Sequence, residues 1–448
     1  MAQLLTEQKR KPKILMFGWE FPPYVAGGLG TACHGMVKAL IRRGFDITLI
    51  LPKNVTSSKE DGLTILGAEF FDFCVKTKIQ EKLIENIRTI EIESPIEPYL
   101  TINEPLQMSR LSEEAIQQIL SEEHKTVEHS SVAGNKSVYG DNLIEEVVRY
   151  NQVAGSIAGS LSFDVIHCHD WLTFGAGIVA KEVTGKPLLC HVHATEFDRC
   201  PGNGNDQVRH FEKTGCEAAD KVMAVSQFTK DILINNYGIN SNKIDVLHNG
   251  IDLASQSKKV EKKTNKKPKV LFLGRVTYQK GPNYFLEAAH RVLQVNSNVE
   301  FIVAGAGDMV DYLRGRAYEL GIQESVNFTG PLKGNAVKEA YQLADCFVLS
   351  SVSEPFGLTP LEALSNRLPV IISKQSGVSE VLKHVLRYDF WDVERLASLI
   401  LSVLTYKTLS NELQERAYDD LHPISWDRVA GNLEQKYFEV CESSLVAA

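Results

Sequence analysis

The chain has 448 residues, of which 44% are hydrophobic and 23% are charged, and it carries a net charge of −8 with a pI near 5.9. This length and apolar fraction suit two or three globular domains with sizeable cores. The acidic balance argues against a broad nucleic-acid footprint, and no apolar run in the sequence approaches the roughly 20 residues that span a bilayer. Because the first residues lack the apolar segment of a signal peptide, we expect a cytoplasmic protein.

The first elements form a βαβ unit. An apolar strand at 14–17 is followed by the loop Gly27-Gly28-Leu29-Gly30, a helix pattern at 31–43 and a strand at 46–51. This order predicts a parallel sheet. Gly27 and Gly28 precede a helix, so their backbone could meet a phosphate or a sugar without a Cβ in the way. The loop does not follow the G-x-G-x-x-G spacing, which argues against a nicotinamide or flavin dinucleotide enzyme.

An irregular segment interrupts the first half. Between about 68 and 140 the pattern loosens into charged stretches that cannot be placed in a core. Regular alternation resumes with helices at 141–159, from 173, at 207–219 and from Ser226, and with strands at 164–167, 187–192 and 221–225. His193 ends one of these strands, which leaves its side chain free to point into a cleft. The alternative is a packed or capped histidine without a chemical role.

Two histidine motifs raise the question of a metal. They are His167-Cys168-His169 and His191-Val192-His193, whereas the eight cysteines form no C-x-x-C pair and are expected to be reduced. We predict no metal site, on the argument that alternate residues of a strand face opposite sides and that the chain offers no closed ligand set.

The polar stretch 255–268 breaks the pattern and has the character of an exposed connection between domains. After it, strands at 270–273, 299–303, 326–328, 346–349 and 369–372 alternate with helices. The sequence therefore predicts an α/β protein with two doubly wound, Rossmann-like domains that face a central cleft. Ligands on such sheets bind beyond the carboxyl ends of the strands.

Two cations follow a strand of the second half. Arg275 comes directly after the strand at 270–273, and Lys280 lies five residues later, before a helix. If they converge on a diphosphate, they would hold it and stabilise the charge that develops on a departing nucleotide. The alternative is a solvated loop with ordinary surface charges.

Two carboxylates mark the next candidate loop. Glu354 and Glu362 flank Gly357 in the segment after the strand at 346–349, and Pro360 fits the first turn of a helix. Free N–H groups at such a helix start attract phosphate, while the two carboxylates could accept hydrogen bonds from a sugar and a ribose. The alternative is a helix entry with two solvated acids.

Several motifs occur together in one order. They are Trp19-Glu-Phe-Pro-Pro23 with Gly27-Gly28, Asp164-Val-Ile-His-Cys-His-Asp-Trp171, His193-Ala-Thr-Glu196, Ala224-Val-Ser226, His248-Asn-Gly-Ile-Asp252, Gly274-Arg275 with Gln279-Lys280-Gly281, and the Glu354/Glu362 pair. Over about residues 12–440, the irregular segment apart, the sequence resembles a retaining glycosyltransferase of family 4 with the GT-B fold, close to its glycogen or starch synthase-like members.

The resemblance implies domains and roles. The N-terminal domain would cover 1–252, a linker 253–268, the nucleotide-sugar domain 269–425, and a C-terminal helix at 426–448 would cross back to the first domain. It implies a site built from the following residues: Arg275 and Lys280 on the diphosphate, Glu354 on the transferred sugar, Glu362 on the ribose, the backbone of Gly357, Leu358 and Thr359 on phosphate, His193 near the reacting carbon, Gly27 and Gly28 under the diphosphate or acceptor, and Asn249 in the segment that leads into the hinge.

The family implies no metal and no cofactor, with UDP- or ADP-glucose as the donor and a saccharide as the acceptor. Bacterial ADP-glucose-dependent glycogen synthases differ from this chain, since they carry lysine where Val25 stands and lack a counterpart of Glu362, so the donor base stays open. So does the oligomeric state. Two alternatives remain: a nucleotide-sugar epimerase or hydrolase on the same fold, and a catalytically silent binding protein.

Overall fold

The computed structural model describes residues 10–22, 27–52, 58–60, 62–68, 143–200, 202, 204–252 and 267–447. These residues form two mostly parallel sheets with helices packed on their faces, which confirms the predicted fold class. The irregular segment expected at about 68–140 lies outside the described residues except for Ala68, and so does the polar connection except for its last two residues.

The first sheet has eight strands in the order β3-β4-β2-β1-β5-β6-β7-β8. All neighbours are parallel except β3 and β4. β1, β5 and β6 are buried along their whole length, because helices cover both faces of a parallel sheet. The strands are β1 Ile14–Phe17, β2 Ile47–Leu51, β3 Ser58–Glu60, β4 Leu63–Gly67, β5 Val165–His169, β6 Leu188–Val192, β7 Lys221–Ala224 and β8 Ile244–Val246.

The described residues of this half form six α-helices: α1 Gly28–Arg42, α2 Leu143–Ser160, α3 Trp171–Thr184, α4 Glu196–Arg199, α5 Asp206–Ala218 and α6 Gln227–Asn235. The start of α6 is fixed as the sequence predicts, because the Oγ of Ser226 accepts a hydrogen bond from the Thr229 N–H at 2.9 Å. α2 and α3 cover one face of the sheet, whereas α1 covers the other.

The second sheet has six parallel strands in the order β11-β10-β9-β12-β13-β14. They are β9 Lys269–Leu273, β10 Glu300–Ala304, β11 Val326–Gly330, β12 Cys346–Leu349, β13 Val370–Ser373 and β14 Leu386–Tyr388. The helices of this half are α7 Pro282–Val295, α8 Val310–Glu319, α9 Asn335–Leu343, α10 Leu358–Ser365, α11 Val393–Thr405 and α12 Lys407–Asp419. β9 and β12 are neighbours at the centre, so the loops at their carboxyl ends lie side by side.

The last helix, α13, spans Trp426–Ala447 and packs against α1 and β5 of the first half. Its apolar stripe is buried in the same core as α1 and consists of Trp426, Val429, Leu433, Tyr437 and Val440. The chain passes between the two halves twice, and the two passages pair where the Ile251 N–H donates to the Ile424 carbonyl at 3.1 Å.

The sequence pattern does not predict β3, β4, β8 or β14. Each has only three to five residues and lies at or next to an edge of its sheet, where pairing depends on a neighbouring strand more than on a long apolar run. No helix within the described ranges has both the length and the apolar character needed to cross a membrane.

Candidate active site

The Lys280 ammonium and the Glu354 carboxylate form an ion pair beyond the carboxyl ends of β9 and β12. The Lys280 Nζ lies 2.6 Å from the Glu354 Oε2, which also accepts a hydrogen bond from the Ser351 hydroxyl at 3.0 Å. Glu354 is buried, and its backbone is held by hydrogen bonds to Gln375 and Gly377 in the loop after β13. Three neighbouring strand ends therefore fix this carboxylate.

The turn that carries the two cations is shaped by a glycine. Lys280 ends a single helical turn, and Gly281 follows with a φ of 60° before α7 begins. A Cβ at Gly281 would lie 2.1 Å from the Ser350 carbonyl oxygen, so only glycine allows this close approach to the loop after β12. Arg275 lies in the same loop, and its Nη2 donates a hydrogen bond to the Gln279 Oε1 at 3.1 Å. The structure thus places both predicted cations in one loop.

The start of α10 has the geometry of an anion site. Gly357 precedes the helix with a φ of 104°, a conformation that favours glycine, and Leu358, Thr359 and Pro360 form the first turn. N–H groups in a first helical turn lack partners within the helix and point out from its end. The predicted backbone contributors therefore lie where a phosphate could meet them.

Glu362 follows in the same helix and is partly buried. Its Oε2 accepts a hydrogen bond from the Tyr341 hydroxyl at 2.8 Å. Burial raises the pKa of Glu362, and the hydrogen bond from Tyr341 offsets this only in part. Glu362 lines a cavity of about 350 Å³ between the two halves, opposite Thr31, His34 and Lys38 of α1.

The first half contributes His193, which directly follows β6. Its imidazole is buried, and burial lowers the pKa of His193 to about 3, so the ring is neutral near pH 7. The His193 Nε2 lies 3.0 Å from the His169 Nδ1, and its backbone N–H donates to the Asp170 carboxylate at 2.6 Å. A neutral imidazole at this position can donate or accept a hydrogen bond but does not hold a positive charge.

Asp170 is a residue whose role the sequence does not reveal. It adopts a φ of 59°, which is uncommon for a residue with a side chain, and its carboxylate accepts the N–H groups of both His193 and Ala194. Burial raises the pKa of Asp170 to about 7 against the opposing effect of Arg199. Asp170 therefore holds the loop after β6 in place.

Asp198 and Ser353 join the two halves beside the ion pair. The Ser353 hydroxyl donates to the buried Asp198 carboxylate at 2.6 Å, and Ser353 precedes Glu354 in the chain. Asp198 also accepts hydrogen bonds from the N–H and the hydroxyl of Thr195, two residues after His193. The His193 loop and the Glu354 loop consequently meet across the cleft. Sequence spacing gives no signal for this contact, since 155 positions separate its partners.

The remaining predicted residues lie at the N-terminus of α1 and at the hinge. Gly27 precedes α1 and donates its N–H to the buried Glu20 carboxylate at 3.1 Å, and a Cβ on Gly27 or Gly28 would meet nothing within 4 Å. Asn249 is buried just before the hinge, and its Oδ1 has no hydrogen-bond partner among the described residues.

The histidine motifs contradict the argument made from the sequence. Residues two apart on a strand share a face, so His167 and His169 of β5 point to the same side, as do His191 of β6 and His193, which directly follows it. One ring nitrogen from each of His167, His169 and His191 lies within 4.8 Å of the others, and Cys33, His169 and His193 form a second such group. The premise that alternate residues of a strand face opposite sides is therefore wrong, whereas the expectation of no metal site stays a prediction.

Comparison with known proteins adds to this geometry. Residues 254–420 match the family model described as "Glycosyl transferases group 1", and residues 138–255 match the model "Glycosyltransferase Family 4". An uncharacterized glycosyltransferase of Methanocaldococcus jannaschii is 27% identical over 93% of this chain and 96% of its own.

A glycogen synthase of Mycobacterium tuberculosis is 24% identical over 95% of this chain and 94% of its own. The solved catalytic domain of starch synthase IV from Arabidopsis thaliana, bound to ADP and acarbose, superposes with a TM-score of 0.66 at 15% identity, covering 97% of this chain and 100% of that one.

Proposed function

Because the chain belongs to glycosyltransferase family 4 and has the GT-B fold, we propose that it is a retaining hexosyltransferase that moves glucose from a nucleotide sugar to an α-glucan or a related saccharide. The observation that carries this proposal is the Lys280–Glu354 pair beside the glycine-preceded start of α10. It combines a cation for a diphosphate, a buried acceptor for sugar hydroxyls and free N–H groups within three neighbouring loops.

Each residue has a distinct task in this proposal. Lys280 and Arg275 bind the donor diphosphate and stabilise the negative charge that builds on it as the glycosidic bond breaks. Glu354 accepts hydrogen bonds from the transferred hexose, and its pairing with Lys280 fixes the position of the sugar relative to the leaving diphosphate. His193 is neutral and hydrogen-bonds the hexose near the reacting carbon.

Glu362 and the start of α10 complete the donor site. Glu362 accepts from the ribose hydroxyls, while Gly357, Leu358 and Thr359 present backbone N–H groups to the phosphates. Gly27 and Gly28 lie in the other half, where an unobstructed helix start leaves room for the diphosphate or the acceptor.

The mechanism that we propose is a front-face displacement. The acceptor hydroxyl attacks the anomeric carbon on the side from which the nucleotide leaves, and the departing phosphate oxygen takes the acceptor proton. The bond from the anomeric carbon to the phosphate oxygen breaks as the new glycosidic bond forms, so no enzymic nucleophile, metal or cofactor enters the transfer. Contact between the Asp198 and Ser353 loops keeps water away from the reacting carbon.

A donor screen tests the proposal. UDP-glucose and ADP-glucose are compared by thermal shift, since a ligand that binds only the folded state raises the melting temperature. The stabilising donor is then incubated with maltooligosaccharides, and nucleoside diphosphate release is measured with and without the acceptor. We expect acceptor-dependent release. Release that is equally fast without acceptor would support a hydrolase instead, and no release with any donor would remove the transferase function.

A further inference from the structure

We propose that the cluster of His167, His169 and His191 is a structural binding site for a divalent first-row transition ion, with Zn²⁺ as the first candidate. The site lies inside the first half, between the sheet and the helices α1 and α13, and it adjoins His193, since the His169 Nδ1 lies 3.0 Å from the His193 Nε2. All three imidazoles are fully buried.

The strand register brings the rings together. His169 and His191 are direct partners in the parallel pairing of β5 and β6, and His167 lies two residues before His169 on the same face. Ring centroids are 4.3 Å apart for His167 and His169, and 5.5 Å apart for each of these rings and His191. Two imidazoles bound to one Zn²⁺ at ~2.0–2.1 Å have ring centres about 5 Å apart, so the spacing matches a shared ion.

The hydrogen bonds around the cluster leave at least one ring nitrogen of each histidine without a partner among the described residues, and a metal could bind there. The His167 Nδ1 lies 2.7 Å from the Tyr437 hydroxyl, and the His169 Nδ1 lies 3.0 Å from the His193 Nε2. The Nε2 of both rings and both nitrogens of His191 are buried and have no partner among the described residues. His167 and His169 thus have the pattern that is typical of metal-binding histidines, in which a second group holds one ring nitrogen and leaves the other for the ion, whereas His191 has no such second group.

A partner of some kind is needed in this cluster. Each unsatisfied buried polar atom destabilises the folded state, and the four unpartnered nitrogens of these three rings lie in one place. Three imidazoles with one open position form a donor set that zinc accepts.

The test measures the metal content of the whole chain after removal of any affinity tag. The protein is expressed with added zinc, dialysed against a weak chelator and analysed by mass spectrometry of the metals. We expect about one zinc ion per chain in the wild type. His191→Val should lower this content at least tenfold, whereas His210→Ala, which removes an exposed histidine of the same half, should not change it.

A second variant keeps the proposal testable if His191→Val does not fold. Tyr437→Phe leaves every ligand in place but removes the group that orients His167, and loss of such a partner weakens metal affinity by about 10–100-fold. Because the site is closed in the folded chain, affinity is measured by unfolding the protein in chelator and refolding it with graded Zn²⁺ or Co²⁺. Co²⁺ should give the visible absorption bands of a four-coordinate ion.

Three results would overturn the site. One is a wild-type protein that holds no more zinc than His191→Val, which would mean that internal water satisfies the rings. The second is metal that stays bound in His191→Val, which would place it elsewhere. The third is refolding with Zn²⁺ that leaves the melting temperature of the wild type unchanged, because an ion bound only to the folded state must raise it.

Discussion

Two chemically identical ion pairs lie at opposite ends of the second sheet. Lys280 pairs with Glu354 beyond the carboxyl ends of β9 and β12, and Lys269 pairs with Glu300 at the amino ends of β9 and β10. The two lysines are equally exposed, whereas Glu354 is more deeply buried than Glu300, so the two lysine positions form the matched comparison. Only the first lies where a parallel sheet binds ligands, and the comparison therefore separates a functional effect from a structural one.

Replacing Lys280 with alanine should lower kcat and kcat/KM by about 10²–10³-fold, because it removes a cation from the developing charge on the leaving diphosphate. Lys269→Ala is the matched control and should keep activity close to the wild type. Both variants should keep the far-ultraviolet circular dichroism spectrum. Equal losses of activity in the two variants would mean that Lys280 acts only through the fold.

Glu354→Gln should reduce turnover by about 10²-fold, since a neutral amide no longer pairs with Lys280 and the hexose loses its fixed position. Glu300→Gln removes the corresponding charge at the other end of the sheet and serves as the control. Steady-state kinetics with the preferred donor measure the effect. Unchanged rates in Glu354→Gln would exclude this carboxylate from the site.

At the residue scale, the sequence predicts those site residues that directly follow an apolar strand. Arg275, Lys280 and Glu354 each follow an apolar run, and the parallel sheet then brings their loops together. The Asp198–Ser353 hydrogen bond could not be predicted, because its partners belong to different halves and 155 positions separate them. The histidine cluster was predictable from the two-residue period of a strand, which the argument from the sequence applied wrongly.

Among the elements, α13 shows how a short pattern can determine long-range packing. Its stripe has helical spacing, and Gly35 of α1 allows Trp426 to lie against the helix, since a Cβ there would be 2.2 Å from the indole ring. Charged contacts support this packing: Arg42 pairs with Asp427 at 2.9 Å, and Lys436 pairs with Asp245 at 2.7 Å. The sequence pattern predicts the apolar stripe, but only the family resemblance predicts that the helix packs against the first half.

Leu433→Ala should reduce the free energy of unfolding by about 2–5 kcal/mol, because Leu433 is fully buried between α13 and the first half and its truncation leaves a cavity. Gln435→Ala, on the exposed side of the same helix, should change it by less than about 0.5 kcal/mol. Urea unfolding, monitored through the transition of the first half, measures the free energy of unfolding of both variants. A loss in Leu433→Ala no larger than in the control would contradict the packing of α13.

At the scale of the whole molecule, Glu380 connects the two halves. Its carboxylate, in the second half, accepts the N–H groups of Gln227 and Phe228 at the start of α6, each at 2.9 Å, and lies 2.8 Å from the His248 Nε2. Burial alone would raise the pKa of Glu380, but the hydrogen bonds from these three residues hold it below its ordinary value. The ionised carboxylate therefore favours contact between the halves.

The sign of this linkage gives a pH prediction. A carboxyl whose pKa is lowered in the contacting form stabilises that form above its ordinary pKa of about 4.3, and the effect is lost as the pH falls through the lowered value. Energy transfer between one dye in each half should stay constant from neutral pH down to about 4.3 and should show the wild-type protein opening only as the pH falls below that value.

Glu380→Gln should be more open than the wild type at neutral pH and should lack this part of the pH response. Glu394→Gln, an exposed carboxylate on α11 of the same half, is the control and should behave as the wild type. Identical distances in Glu380→Gln and the wild type at neutral pH would show that Glu380 does not hold the halves together.

The most direct test of the whole account is the stereochemistry of the first product. The chain is incubated with an α-linked glucosyl nucleotide and a maltooligosaccharide, and the anomeric proton of the new residue is followed by nuclear magnetic resonance from the earliest time points. We expect an α-glycosidic product that appears together with one nucleoside diphosphate per bond formed. A β-linked product, free glucose without an extended acceptor, or unreacted donor would contradict it.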